Sequence, residues 1–318
     1  MTLPTLIQLS PFSDDLEAAL AARGCVVRWF EMTDVGQARW LADHAGEATA
    51  IITNGHVGAP RDLIEALPSL RLIAVNGVGY DQIDIAHADR CGVAVTNTPD
   101  VLTDDVADLA VGLVIGLIRQ LPRADSFVRS GAWAEGNMLL ARKVTGRRFG
   151  IVGLGRIGAA IADRLRAFGP VAYSGRAPKP VDYHFHDSPR ALAAACDVLI
   201  VATAATPETR HLIDADVLAA LGPDGVLVNV ARGSVVDQDA LVAAIERGTI
   251  AGAALDVFAD EPDVPRALID SDRTLLTPHI ASATVETRRA MAALLLDNLD
   301  AGLAGRPLLT PVGIDRPG

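Results

Sequence analysis

Short apolar runs alternate with helical patterns from one end of the chain to the other. Residues 3–9, 26–30, 50–52, 72–75 and 93–95 read as strands. Residues 14–23 and 61–67 between them read as helices. A second series repeats the theme. Residues 148–152, 171–174, 198–202, 226–230 and 251–257 are predicted strands, and 157–168, 214–221 and 238–247 predicted helices. Strand-then-helix alternation builds a parallel sheet covered by helices on both faces. The pattern therefore predicts an α/β protein with two doubly wound parallel-sheet domains. The last segment, residues 284–303, is helical in pattern and holds no strand.

A different pattern separates the two series. Pro99 punctuates the chain, Thr103 suits a helix N-cap, and Asp104 and Asp105 suit a first turn. The helix this predicts runs to about residue 121. Val106, Leu109, Ala110, Leu113, Val114 and Leu117 form one apolar face, and Val111, Ile115 and Ile118 carry apolarity round the other. A helix apolar nearly all round is expected in a core or in a subunit interface.

The second series opens with chemistry. Gly150-Ile151-Val152 runs into Gly153-Leu154-Gly155-Arg156-Ile157-Gly158, a strand followed by G-x-G-x-x-G and a helix. In that motif Gly153 makes the tight turn, Gly155 lets a pyrophosphate approach the backbone, and Gly158 lets helix and strand pack closely. The helix N-terminus offers N–H groups to the phosphates, and Arg156 adds positive charge. The ribose end departs from the usual NAD pattern. Where an acidic residue is expected, Val171-Ala172-Tyr173 leads to Ser174, with Arg176 and Lys179 just beyond. No carboxylate repels a 2′-phosphate there and two cations face it, so NADPH is expected over NADH.

Composition narrows the function classes. The 318 residues suit two domains, and half of them are hydrophobic, with only 4% aromatic. A net charge of -11 argues against a nucleic acid or an anionic membrane as partner. Cys25, Cys91 and Cys196 form no Cys-x-x-Cys and no even set, which predicts a reduced, cytoplasmic setting. Residues 1–11 show no basic, apolar leader, and the apolar run 109–118 is too short to span a bilayer. No metal is expected.

Three loops after the later strands carry candidate catalytic residues: Arg232 in Asn229-Val230-Ala231-Arg232-Gly233, Glu261 in Asp256-Val257-Phe258-Ala259-Asp260-Glu261-Pro262, and His279 in Pro278-His279-Ile280-Ala281-Ser282. In open parallel sheets, sites form beyond the carboxyl ends of strands. Reducing a 2-oxoacid needs a cation for the carboxylate and carbonyl oxygen, which a guanidinium fork supplies. It needs a proton donor, and His works near neutral pH. It also needs a carboxylate to orient the imidazole and favour its charged form. Arg232, His279 and Glu261 match those needs in turn.

With Val78-Gly79-Tyr80-Asp81-x-Ile83-Asp84 and the motifs above, the chain resembles the D-isomer-specific 2-hydroxyacid dehydrogenases over essentially its whole length. The resemblance implies that Arg232, Glu261 and His279 are catalytic, and that the backbone at Val78 and Gly79 binds the substrate carboxylate together with Arg232. It implies that Asp256 holds the nicotinamide amide and that Thr103 approaches the cofactor. The cofactor set expected from motif and family together is Thr103, Gly153, Gly155, Arg156, Ile157, Gly158, Ser174, Arg176, Lys179, Val230, Asp256, His279 and Ala281. The fold expected is a flavodoxin-like substrate domain, residues 1–98 plus 286–318, and a Rossmann cofactor domain, residues 99–285, with an interdomain cleft. A homodimer is expected from the apolar helix.

Within the family, Thr98-Pro99-Asp100-Val101-Leu102-Thr103-Asp104 and the Ser174/Arg176 pair resemble the NADPH-dependent glyoxylate/hydroxypyruvate reductase branch, some relatives of which reduce hydroxyphenylpyruvate. One departure bears on substrate size. Some of these reductases have a second tryptophan soon after the one matching Trp133, narrowing the pocket, whereas Gly136, Asn137, Met138 and Leu139 stand here. That argues against tight selection for the smallest substrates.

Three other readings compete. An NAD-dependent lactate- or phosphoglycerate-type dehydrogenase is disfavoured by Ser174 and Arg176. A formate dehydrogenase is disfavoured by Glu261, because that branch pairs its His with Gln. A nucleotide-sensing regulator on the same fold is disfavoured by the lack of long disordered tails and of a basic surface, and turnover of any 2-oxoacid would decide against it.

Overall fold

A computed structural model describes residues 3–313. They fall into two compact units. One takes both ends of the chain, up to Leu102 and again from Val285, and the other is Thr103–Thr284. No helix among the described residues is long and apolar enough to cross a membrane.

The first unit is built on β1 (Thr5–Gln8), β2 (Cys25–Arg28), β3 (Ala48–Asn54), β4 (Leu72–Asn76) and β5 (Ala94–Thr96). They lie parallel in the order β2-β1-β3-β4-β5, the flavodoxin-like arrangement, and Pro311–Val312 adds an antiparallel edge beside β5. Side chains alternate across this sheet, and both faces are buried. Ile7, Ile51 and Ile73 enter one core, while Leu6, Ile52 and Leu72 enter another that includes Leu295 and Leu299 of the helix Val285–Leu303. Two-sided burial is why these strands read as continuous apolar runs.

Several elements of this unit escape the sequence pattern, the helix Ile85–Arg90 and the strand Pro311–Val312 among them. The helix Asp34–His44 has no fully buried residue and contains Gly36, so its periodicity is faint. It is held instead by Thr33, whose side chain accepts from Gly36 N, and by Trp40 set edge-on to Trp29 at 5.9 Å. The run predicted as strand 26–30 stops at Arg28, and Trp29–Glu31 turns as a 3₁₀ helix.

The second unit carries β6 (Phe149–Val152), β7 (Val171–Ser174), β8 (His184–His186), β9 (Val198–Val201), β10 (Val226–Asn229), β11 (Gly252–Leu255) and β12 (Thr274–Leu276). They form a seven-stranded parallel sheet in the order β12-β11-β10-β9-β6-β7-β8. The direction of winding reverses between β6 and β9, which makes their carboxyl ends the topological switch point of a Rossmann sheet. At the opposite ends of the same strands, Asp197 takes bonds from Arg148 N at 2.8 Å and Nη2 at 2.7 Å. The guanidinium holds that carboxyl below its usual range. β8 and β12 were not legible, being three residues long and, in β8, two histidines around one Phe.

The helix Thr103–Ile118 begins at Thr103 itself. Val106, Ala107, Ala110, Leu113, Val114 and Ile118 are buried. The helix lies on β10, β11, β12 and the helix Arg156–Leu165. Arg164 ties the two helices together, donating to Asp104 at 2.9 Å and Asp108 at 2.6 Å. Much of the helix's apolar girth is thus spent within its own unit.

Candidate active site

At the end of β6 the backbone must turn sharply, and the glycines are there for steric reasons. Gly153 has φ +92, and a Cβ on it would stand 2.7 Å from Thr203 Cα. A Cβ on Gly158 would stand 2.0 Å from Gly153 O. Gly155, by contrast, has open space where a side chain would be, and it is the N-cap of the helix Arg156–Leu165. An unobstructed backbone at a ten-residue helix N-terminus fits a dinucleotide pyrophosphate. Arg156 and Ile157 are the first two residues of that helix.

The neighbouring turn after β7 sorts its residues by exposure. Ser174 is 2% exposed, its Oγ is enclosed without a hydrogen-bond partner, and its carbonyl accepts from Gly153 N at 2.9 Å. Its contribution to the turn is backbone, because as the last residue of a buried strand it points its hydroxyl into the protein. Gly175, Arg176 and Lys179 are exposed. Lys179 reaches back to donate to Leu154 O at 2.7 Å.

Across the switch point, the ends of β10 and β11 carry the other candidates. Asn229 shapes the first turn, donating from Nδ2 to Arg232 O at 3.0 Å and accepting from Ala231 N at 3.0 Å. Arg232 Nη1 donates to Ala231 O at 2.8 Å. Val230 is 7% exposed, beneath that turn. A Cβ on Gly233 would lie 1.9 Å from Phe258 O, so only glycine lets the Arg232 turn press against the segment leading to Glu261. Glu261 then uses both oxygens. Oε1 accepts from Phe258 N at 2.9 Å and Oε2 meets His279 Nδ1 at 2.7 Å.

His279 is held by more than Glu261. Its φ of +52 is left-handed, which side-chain-bearing residues rarely adopt. Asp256, fully buried, over-determines that conformation. Its carboxylate accepts from Thr277 Oγ1 at 2.6 Å, Ile280 N at 2.9 Å and Ala281 N at 3.0 Å, while its carbonyl takes His279 N at 2.8 Å. Sequence reasoning found Asp256 and Ala281 but missed this clamp and the part of Thr277 in it. The signal available was a lone Asp after an apolar strand, which does not reveal what it binds.

In the first unit, the loop after β4 carries Val78 and Gly79, both half-buried. Gly77 O accepts from Thr98 N at 2.8 Å and Val78 O from Asn97 Nδ2 at 2.9 Å. A Cβ on Gly55 would lie 2.3 Å from Gly79 O. These two bonds and the close approach of Gly55 hold the backbone of the loop in place.

The chain is similar to known proteins along most of its length. Residues 111–281 match the family described as D-isomer specific 2-hydroxyacid dehydrogenase, NAD binding domain. The chain is 45% identical over 309 residues to hydroxyphenylpyruvate reductase of Plectranthus scutellarioides, covering 96% of this chain and 98% of the relative. It is 47% identical over 274 residues to 2-ketogluconate reductase of Gluconobacter oxydans, covering 86% and 88% of the two chains. In structure it resembles an NADPH-dependent glyoxylate/hydroxypyruvate reductase from Sinorhizobium meliloti, solved in complex with NADP and malonate. The TM-score is 0.91 at 42% identity, over 98% of this chain and 97% of that one.

Proposed function

The chain belongs to the D-isomer-specific 2-hydroxyacid dehydrogenases, and from that premise we propose that it reduces small 2-oxoacids to D-2-hydroxyacids with NADPH preferred over NADH. It is an oxidoreductase using a nicotinamide cofactor. Glyoxylate and hydroxypyruvate are the expected substrates, and bulkier 2-oxoacids are included because Gly136 stands where some relatives narrow the pocket. The observation that carries the reading is the His279–Glu261 pair, 2.7 Å apart on a loop locked by a buried carboxylate.

When bound, the reduced nicotinamide supplies a hydride to the carbonyl carbon. Arg232 draws on the carbonyl oxygen and carboxylate with its planar fork. Because Glu261 occupies His279 Nδ1, the proton passes to the carbonyl oxygen from Nε2, completing the alcohol. The N–H groups at Val78 and Gly79 take the substrate carboxylate. Gly153, Gly155, Arg156, Ile157 and Gly158 hold the pyrophosphate, and Arg176 and Lys179 meet the 2′-phosphate. Thr103, Val230 and Ala281 complete the nicotinamide side. Asp256 accepts three bonds of the roughly four a carboxylate takes, which leaves one for the nicotinamide amide.

The same proposal includes a homodimer. Its support shifts from the helix Thr103–Ile118 to the stretch after it, where Trp133, Leu139 and Leu140 are 64%, 74% and 96% exposed. Three exposed apolar side chains within eight residues of chain fit a contact region if they lie together as one patch. A cytoplasmic setting is supported by three unpaired thiols. Burial pushes that of Cys196 up to about 12.

The test is a reductase panel of glyoxylate, hydroxypyruvate, pyruvate and phenylpyruvate, each run with NADPH and NADH. Turnover with NADPH at higher kcat/KM than with NADH is expected, and chiral separation of the products from hydroxypyruvate, pyruvate and phenylpyruvate should show the D isomer, glycolate from glyoxylate being achiral. Absence of turnover with every 2-oxoacid would overturn the reading.

A further inference from the structure

Lys179 closes the turn after β7 onto the glycine loop. Lys179 Nζ donates to Leu154 O at 2.7 Å, twenty-five residues back along the chain. Its backbone N–H donates to Tyr173 Oη at 2.6 Å. Tyr173 is an immobile acceptor, 1% exposed and packed on Phe185 with ring centroids 5.4 Å apart. Leu154 lies between Gly153 and Gly155 and is itself buried. Both ends of Lys179 are therefore anchored, one to the strand that precedes its turn and one to the loop that fits the pyrophosphate.

A loop flanked by two glycines is conformationally loose, and ordering it on binding costs entropy. A turn that points its N–H groups at a phosphate also points carbonyls away, and those carbonyls need a donor. An ammonium has three donors, of which Leu154 O takes one, so the same group still faces outward with charge. Arg176 beside it is exposed, with no such tie among the described residues.

We propose that Lys179 is a positioning residue for the dinucleotide as a whole. By pinning Leu154 O it pre-forms the glycine loop, and it thereby governs binding of NADH as well as NADPH, whereas Arg176 acts on the 2′-phosphate alone. The inference rests on the reading of the second unit as the dinucleotide domain and of residues 175–179 as the turn that meets the 2′-phosphate.

The experiment is a fluorescence titration of NADH and NADPH onto the full chain and onto Lys179→Met, Lys179→Arg, Tyr173→Phe and Arg176→Ala, with thermal unfolding recorded for each. Lys179→Met is expected to weaken NADH about fivefold or more, and NADPH further, since a charge-assisted bond and the loop's order are both lost. Lys179→Arg keeps charge and donors and recovers most of the NADH affinity. Tyr173→Phe removes only the acceptor of the Lys179 N–H and weakens NADH by a smaller factor, which keeps the idea testable if Lys179→Met folds poorly. Unchanged NADH affinity in both Lys179→Met and Tyr173→Phe overturns the pin, and so does an NADH loss that Lys179→Arg leaves unrecovered. Arg176→Ala is expected to weaken NADPH about tenfold and spare NADH. Equal losses there overturn the 2′-phosphate reading of the turn, a result separate from the Lys179 arms.

Discussion

Two loops at the carboxyl ends of one sheet are built in opposite ways. The loop from Thr277 to Ala281 is locked: Asp256 takes three donors through its carboxylate and a fourth through its carbonyl, and His279 is kept at a positive φ. The turn from Gly175 to Lys179 is exposed and, among the described residues, tied through Lys179. The contrast follows the work proposed for each. Proton transfer demands a donor fixed within tenths of an ångström. Reading a phosphate demands charge, which acts at longer range and tolerates motion. The rigid loop is therefore tied to the buried core, and the selective turn sits where residues can be exchanged at small cost.

The contrast breaks first at His279. His279→Ala is expected to lower reductive kcat/KM by about 10²–10⁴-fold, while cofactor titration stays normal. Glu261→Gln should give a smaller loss with the fold intact, because it leaves the imidazole in place without its charged partner. Near-normal kcat/KM in His279→Ala would move the proton donor elsewhere.

Asp256→Asn sharpens the comparison from the side of stability. An amide nitrogen cannot accept, so at least one donor among Ile280 N, Ala281 N and Thr277 Oγ1 loses its partner. The expected cost is about 2–4 kcal/mol in denaturant unfolding, accompanied by a fall in kcat. A variant as stable as the parent would show that the clamp is not what holds the loop.

The smallest effect belongs to the exposed turn. Arg176→Ala removes an unburied side chain and should change unfolding free energy by no more than about 0.5 kcal/mol. A larger loss would mean that this turn, too, is a structural element.

Much of the site was legible because its chemistry is local. The G-x-G-x-x-G run, and the motifs around Arg232, Glu261 and His279, announce themselves by residue type and spacing after apolar strands. The strands themselves were legible because burial on both faces leaves continuous apolar runs, such as Leu72–Asn76 and Val226–Asn229. Short or weakly apolar elements were not: β8 holds two histidines in three residues, and the helix Asp34–His44 buries none of its residues fully. Propensity and periodicity carry little signal over so few buried positions.

By itself, the sequence determined the class of fold, the glycine loop and the three residues proposed for catalysis, because each depends on patterns within one or two neighbouring elements. Only the tertiary structure decided what Asp256, Ser174 and Lys179 do. Asp256 turned out to clamp a loop more than twenty residues further on. Ser174 was turned inward at the end of its strand, which leaves the residues after it as the exposed part of the turn. Lys179 was brought against Leu154 by the parallel pairing of β6 with β7. The physical reason is common to all three. A side chain's partners across a sheet are set by strand order and register, and those arise from the packing of the whole sheet.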